Sequence, residues 1–442
     1  MPKTFIKKGL IIIILAIPLI GIILSPSAIE AKTGKFDFGL STSLSEKYDD
    51  NIFLDEHDEE SDFITSLRPR LSLSYLTDNT NLIASYSPSF EFYAHNPDEN
   101  DVNHNGSLDL STQLAPRLNL TMTDHLVFTR GEDIEREELR TAGRISRGSN
   151  SDQTSNFFKT TLSYQIFPAT SLRGGFSYTI EKYDESEYQE SDEYSYELGI
   201  DHRLTSRDTI FSNYRYRRIF YDDDESLRYH QIRPGYQGEN DTDTQSVSVG
   251  ISHRFNRGLT MSISGGIVMI DEENEDDETN WNGSFTLNKN FRTGSAGLNF
   301  NRSVSTSGGV GGTSIFNTID LTGKKDFTKC LSGSLIIYFL DEESTAGDEV
   351  DNEDWGLILG TGYKFSRSLT GSLSYSFIQQ NSKGWGEEDS DKYNVRASLN
   401  YLFSSKCSAF CSYQYYQKNA LNALEEDIGS NIFTLGINIT WL

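Results

Sequence analysis

Val247-Ser-Val-Gly-Ile-Ser-His-Arg-Phe255 alternates large apolar residues at odd positions with small or polar residues at even ones. Successive side chains of a β-strand point to opposite faces, so a period of two means a strand with one greasy face and one wet face. Leu369 to Phe377 (LTGSLSYSF) and Tyr393 to Phe403 (YNVRASLNYLF) read the same way, and the pattern runs from Phe36 to Leu442. The polar face is mostly Ser, Thr, Gly and Asn, where the outward face of a soluble sandwich would be charged.

The connections between these segments come in two kinds. Short turns recur near Asp78-Asn79, Ala115-Pro116-Arg117, Pro168-Ala169, Ser206-Arg207, Asn256-Arg257-Gly258, Arg292-Thr293-Gly294, Thr328-Lys329, Ser366-Arg367 and Ser404-Ser405-Lys406. Between them lie longer acidic stretches: 48–61, 95–103, 131–153, 184–191, 221–242, 271–279, 305–313, 341–353, 380–391 and 418–428. Ten hairpins give about 20 strands (18–20), with both chain ends on the short-turn side. The expected fold is all-β: a transmembrane antiparallel up-and-down barrel with short periplasmic turns and long acidic extracellular loops. Hydrocarbon supplies no hydrogen-bond partners, so a sheet that spans it must close on itself. Aromatics near strand ends, Tyr75, Tyr93, Phe167, Tyr183, Phe220, Phe255, Phe291, Phe365 and Phe403, suit two interfacial girdles. Asp124 falls on the lipid-facing parity, which suggests a bulge or a shifted strand there.

Composition agrees. Apolar residues make up 36% of 442 residues, Phe and Tyr number 26 and 23, and Pro only 9, which excludes a disordered acidic chain. The formal charge of −26 is the wrong sign for broad nucleic-acid binding. Lys3, Lys7 and Lys8, the apolar run Leu10–Leu24 and the small residues up to Ala31 have the layout of a secretory signal peptide. The division is therefore 1–31 signal peptide and 32–442 barrel, placed in the bacterial outer membrane. Three cysteines exclude a disulfide scaffold; Cys407 and Cys411 on one strand stand about 13 Å apart, too far to bridge.

Parity assigns Arg68, Arg70, Lys159, Arg173, Arg203, Arg215, Arg217, Arg254, Lys324, Lys364 and Arg396 to the lumen. Asp37, Glu91, Asp109, Glu181, Glu197, Asp201 and Asp320 share that face, leaving the wall about +4 inside an acidic chain. Such a wall would favour anions; pairing between strands would instead neutralise it. Arg136, Arg140 and Arg144 are four apart and would line one face of a short helix, a candidate basic constriction in the mouth. Asp101, Asn103 and Asn105, followed by Gly106, resemble the start of a calcium loop, although Thr112 stands where the bidentate Glu belongs. No histidine spacing, nucleophile elbow or phosphate loop indicates an enzyme, and no cofactor is expected.

The last strand, Thr434-Leu-Gly-Ile-Asn-Ile-Thr-Trp441, resembles the C-terminal signal that barrel-assembly machinery reads. The stretches Ser45-Glu-Lys-Tyr48-Asp-Asp-Asn51-Ile-Phe-Leu54, Asp62-Phe-Ile-Thr-Ser-Leu-Arg-Pro69-Arg-Leu71 and Tyr86-Ser-Pro88-Ser-Phe-Glu-Phe-Tyr93 resemble the beta-barrel porin type 2 family. That resemblance implies an outer-membrane barrel linked to exopolysaccharide or capsule export, and it carries over no site residue. The expected function is a channel through which an exopolysaccharide or other anionic polymer leaves. Alternatives are a general diffusion porin for small solutes and a non-conducting barrel that binds lipopolysaccharide or a surface partner. Expected partners are outer-membrane lipid and lipopolysaccharide, polysaccharide and separate periplasmic export components, and no nucleic acid.

Overall fold

A computed structural model describes residues 34–129, 153–183, 190–221, 241–272, 277–306, 313–344, 351–383, 389–421 and 427–441. They form twenty strands, β1(Lys35–Asp49), β2(Asp62–Leu76), β3(Thr80–Tyr93), β4(Asp101–Ala115), β5(Leu118–Thr129), β6(Gln153–Phe167), β7(Thr170–Tyr183), β8(Ser191–Arg203), β9(Asp208–Tyr221), β10(Thr242–Asn256), β11(Leu259–Glu272), β12(Glu278–Phe291), β13(Gly294–Thr306), β14(Thr313–Asp326), β15(Leu331–Ser344), β16(Asp351–Lys364), β17(Leu369–Lys383), β18(Ser390–Ser404), β19(Cys407–Ala420) and β20(Ile428–Thr440). Each strand pairs antiparallel with the next, and β20 pairs back onto β1. The sheet is therefore closed, with short turns at one end and long connections at the other.

Register fixes the two faces. Leu435 (66% exposed), Val249 (61%) and Leu198 (58%) belong to the outward set, which remains open to its surroundings. Exposed large apolar side chains on nearly every strand make a belt that water would not tolerate and lipid would. Rows of rings cross it, one at mid-strand and one nearer the long connections. Phe158, Phe176, Tyr196 and Tyr216 run across neighbouring strands with centroids 5.2–6.4 Å apart. Trp355, Phe377 and Tyr393 form a second row at 4.9 and 5.0 Å. Tyr93 and Tyr183 are not in these girdles: they pair with Ile64 and Gln153 on the inward face. Their position near a strand end suited a girdle, but parity turns them inward.

Asp124 also departs from expectation. The β4–β5 register shifts at Gln113/Ala115, not at Asp124, which stays in register with Leu108 and Phe158. It is buried on the outward face, and its Oδ1 accepts a hydrogen bond from Asn156 Nδ2 at 2.8 Å. A polar partner on the neighbouring strand makes the carboxyl tolerable without a bulge.

The β1–β20 seam spans only Ser41–Asp49 against Ile432–Thr440. Side chains reinforce it at the long-loop end. Ser430 Oγ donates to Asp49 Oδ1 (2.9 Å), and the Asn431 backbone N–H and Nδ2 donate to the Asp50 carboxylate (2.6 and 2.8 Å). Buried Asn51 donates to the carbonyls of Gly429 (3.0 Å) and Asp55 (2.7 Å), while its Oδ1 accepts the Asp55 N–H (3.0 Å). Trp441 N–H reaches the Leu40 carbonyl at 2.8 Å and extends the seam at the other end. Asn51→Ala strands these buried groups. It should lower the stability of the refolded barrel by about 2–4 kcal/mol, read as a lower midpoint in urea unfolding.

Candidate lumen and its two mouths

The register puts all eleven predicted basic residues on the inward parity, spread over β2, β6, β7, β8, β9, β10, β14, β16 and β18. Several meet carboxylates. Arg68 donates from Nη2 to Glu91 Oε1 and from Nε to Ser89 Oγ, both at 2.8 Å. Arg173 Nε donates to Asp201 Oδ2 at 2.8 Å, and its Nη2 reaches Asn213 Oδ1 at 3.1 Å. Glu197 lies between Arg215, whose Nε is 2.7 Å from Oε1, and Lys159, whose Nζ is 3.8 Å from Oε2. Arg217 is 3.9 Å from Glu193. Arg70, Arg254, Lys324 and Lys364 have no carboxylate partner among the described residues, and all four are exposed.

The expected net charge of +4 does not hold. Lys35, Lys47, Lys392 and Lys418 also face inward, and so do Asp49, Asp62, Asp101, Glu193, Glu272, Glu278, Asp326, Glu342 and Asp354. The described inward face is thus close to neutral, but its charges are separated along the barrel. Toward the short turns lie Lys35, Arg70, Arg173, Arg203, Arg254, Lys324 and Lys364, with Asp37, Asp109, Asp201, Asp320 and Asp326. Arg68, Lys159, Arg215, Arg217 and Arg396 lie near mid-strand, with Glu197. Toward the long connections the only inward basic residues among the described strands are Lys47, Lys392 and Lys418, against ten carboxylates. A tally over the whole wall hides this because the parity reading sorts faces and not depth.

The two halves differ in packing as well. The buried inward residues, Ile64, Ile219, Ile270, Leu340, Tyr416 and Ile432 among them, lie from mid-strand to the long-loop end. At the short-turn end Arg203, Arg254, Asn290, Lys324 and Lys364 are exposed. Part of the covering comes from the connection after β1. Leu54, at φ 55°, clusters with Tyr416 of the inner wall, with Ile378 and Ile428 packed against the pair, and Ile52 is buried as well. An Ile-Phe-Leu triplet inside an otherwise acidic connection was the sequence signal for this inward fold. Between the mouths, Arg215 and Arg217 border a wall of Ser246, Ser248, Ser264, Asn282, Ser284, Asn301 and Ser303. Hydroxyls and amides there offer both donors and acceptors.

Asp101, Asn103 and Asn105 lie on β4 in ladder register with Glu91, Ser89 and Ser87, so the expected calcium loop is a strand. Alternate residues on a strand stand about 7 Å apart, too far for oxygens to share one ion at 2.3–2.6 Å. Among the described residues no group of three His, Cys, Asp or Glu is placed to hold a metal. Arg136, Arg140 and Arg144 lie outside the described residues, as does the 1–31 segment. Cys407 and Cys411 are free thiols on the outward parity.

A closed up-and-down barrel with an apolar outer belt and a polar interior defines an outer-membrane β-barrel protein. Among solved structures it is similar to the siderophore receptor PirA from Pseudomonas aeruginosa, with a TM-score of 0.53, 11% identity, and coverage of 92% of this chain and 80% of that one. The FrpB iron transporter from Neisseria meningitidis (F3-3 variant) follows at 0.52, with 11% identity and coverage of 92% and 82%. The ferric-catecholate import receptor Fiu from E. coli K12 follows at 0.50, with 10% identity and the same coverage. At these identities the likeness is one of fold. No protein-family model and no curated protein matches the chain.

The loop after β1 carries its own pH dependence. The N–H groups of Asp58 (2.9 Å) and His57 (2.8 Å) donate to Asp55 Oδ1 and hold its carboxyl below the usual carboxylate range. A carboxyl whose pKa is lowered by folding contributes its order above the ordinary value of about 3.9 and loses it as pH falls through the lowered one. Hydrogen exchange of the 50–61 amides, corrected for intrinsic rate, should therefore stay slow at pH 5 and rise below about pH 4. In Asp55→Asn that acid step should disappear.

Proposed function

We propose that the protein is an outer-membrane channel that passes an anionic solute, with an exported acidic exopolysaccharide as the favoured cargo. The observation that carries this reading is the excess of inward cations over carboxylates from the short turns to mid-strand, in a wide closed lumen whose short-turn end is exposed. Barrel diameter grows with strand number, and twenty strands enclose more than side chains alone can fill. A wall of hydroxyls and amides suits a hydrated glycan, and uncompensated cations nearby favour carboxylate or sulfate groups. The sequence stretches that resemble the beta-barrel porin type 2 family point the same way. The similar solved structures are named as receptors and transporters for iron compounds, which supports passage of a solute in general. Export components would approach the short-turn face, and lipopolysaccharide would surround the long-loop rim.

The packed long-loop end favours a second reading, a barrel closed at rest. Single-channel recording of the refolded protein separates the two, with selectivity taken from the reversal potential in a salt gradient. A barrel closed at rest should conduct little until residues 52–60, which include the inward-packed Ile52 and Leu54, are shortened to a tight turn that keeps Asn51, which should raise conductance several-fold. Charge reversal at Arg68, Arg70, Arg215 and Arg217 should move selectivity toward cations. Each reversal changes the wall charge by the same amount, so Arg70→Glu alone should give about a quarter of that change. Unchanged selectivity in the quadruple variant would remove these residues from the pathway.

A further inference from the structure

The short-turn rim inverts the composition of the chain. The protein has 65 Asp and Glu against 39 Lys and Arg. Yet seven of the nine short turns carry one Arg or Lys each, Arg257 and Arg292 among them, and one turn carries a carboxylate, Asp78. Just inside that rim, Arg254 on β10, Lys324 on β14 and Lys364 on β16 face the lumen, exposed and without a carboxylate partner among the described residues.

We infer that this rim is a capture ring for an anionic polysaccharide entering from the periplasmic side. Three features select a chain-like polyanion. Neighbouring strands stand about 4.8 Å apart, so β10 and β14 place their cations roughly 19 Å apart along the wall, beyond the span of a small ion. A polymer threading the mouth meets them one after another. The inward parity of Arg254, Lys324 and Lys364 puts them out of reach of lipid headgroups and of a flat protein docked across the turns. At the far end the inward carboxylates outnumber the cations, so the same chain meets like charge as it leaves. Capture at one mouth and repulsion at the other favour entry from the periplasmic direction, while net flux follows the polymer's own gradient. Only that direction rests on the export reading; the ring itself does not require a conducting pore.

The test uses the full barrel in detergent and fluorescently labelled dextran sulfate, with neutral dextran of equal length as the control. Anisotropy should show binding of the sulfated chain alone. Raising salt from 0.15 M to 1 M shortens the screening length from about 8 Å to about 3 Å and should weaken binding strongly. The variant Arg254→Gln/Lys324→Gln/Lys364→Gln should bind about tenfold more weakly. A turn-tip variant, Arg257→Gln/Arg292→Gln/Arg367→Gln, should lose less. All six positions are exposed, and heat-modifiable migration on gels checks that each variant is folded. In planar bilayers, dextran sulfate should block current from the short-turn side at about tenfold lower concentration than from the other side. Equal binding of neutral dextran, an unaffected inner-ring variant or symmetric block would overturn the capture ring. A loss confined to the turn-tip variant would reassign the rim to docking of an acidic protein. Absence of conductance with binding intact would defeat the channel reading and leave the ring standing.

Discussion

Every backbone N–H and C=O of a segment inside hydrocarbon must find a partner within the protein, because lipid tails offer none. The whole molecule follows from this constraint. It forces twenty strands into one closed ladder, and it makes the β1–β20 seam the contact on which the others depend, since an open seam would expose two unpaired edges to lipid. That seam is short, and its long-loop end is buttressed by side chains. Asp49, Asp50 and Asn51 on one side meet Gly429, Ser430 and Asn431 on the other.

Closure then sorts the chemistry. Alternation gives lipid the large apolar side chains and gives water the serines, asparagines and charges. Inside, the charges separate along the axis, with cations toward the short turns and carboxylates toward the long connections. The acidic excess of the chain is therefore a property of one end. Ion pairs such as Arg173–Asp201 and Arg215–Glu197 stiffen the wall between β7 and β9. Exposed cations such as Arg70 and Lys364 have no carboxylate partner among the described residues.

Legibility in the sequence followed the same physics. The fold class, the strand count, all nine short turns and the inward side of the eleven basic residues came from period two, because that period is a property of local backbone geometry. Failures occurred where a second coordinate was needed. Tyr93 and Tyr183 lie at the right height for a girdle but on the wrong face. The trio Asp101, Asn103 and Asn105 has oxygen ligands at the right spacing for a turn, but it lies in an extended ladder. Asp124 suggested a bulge because its partner, Asn156, is 32 residues away.

The sequence by itself determined which side chains see lipid and which see the lumen, and that the sheet must close. Only the tertiary structure decided depth and cover: that carboxylates outnumber cations on the inner face at the long-connection end alone, and that Leu54 folds back onto Tyr416. The physical reason is range. Alternation is written between adjacent residues, whereas height in the barrel depends on the register of each strand against both neighbours, and the packing of a connection depends on a wall more than 300 residues away in the chain.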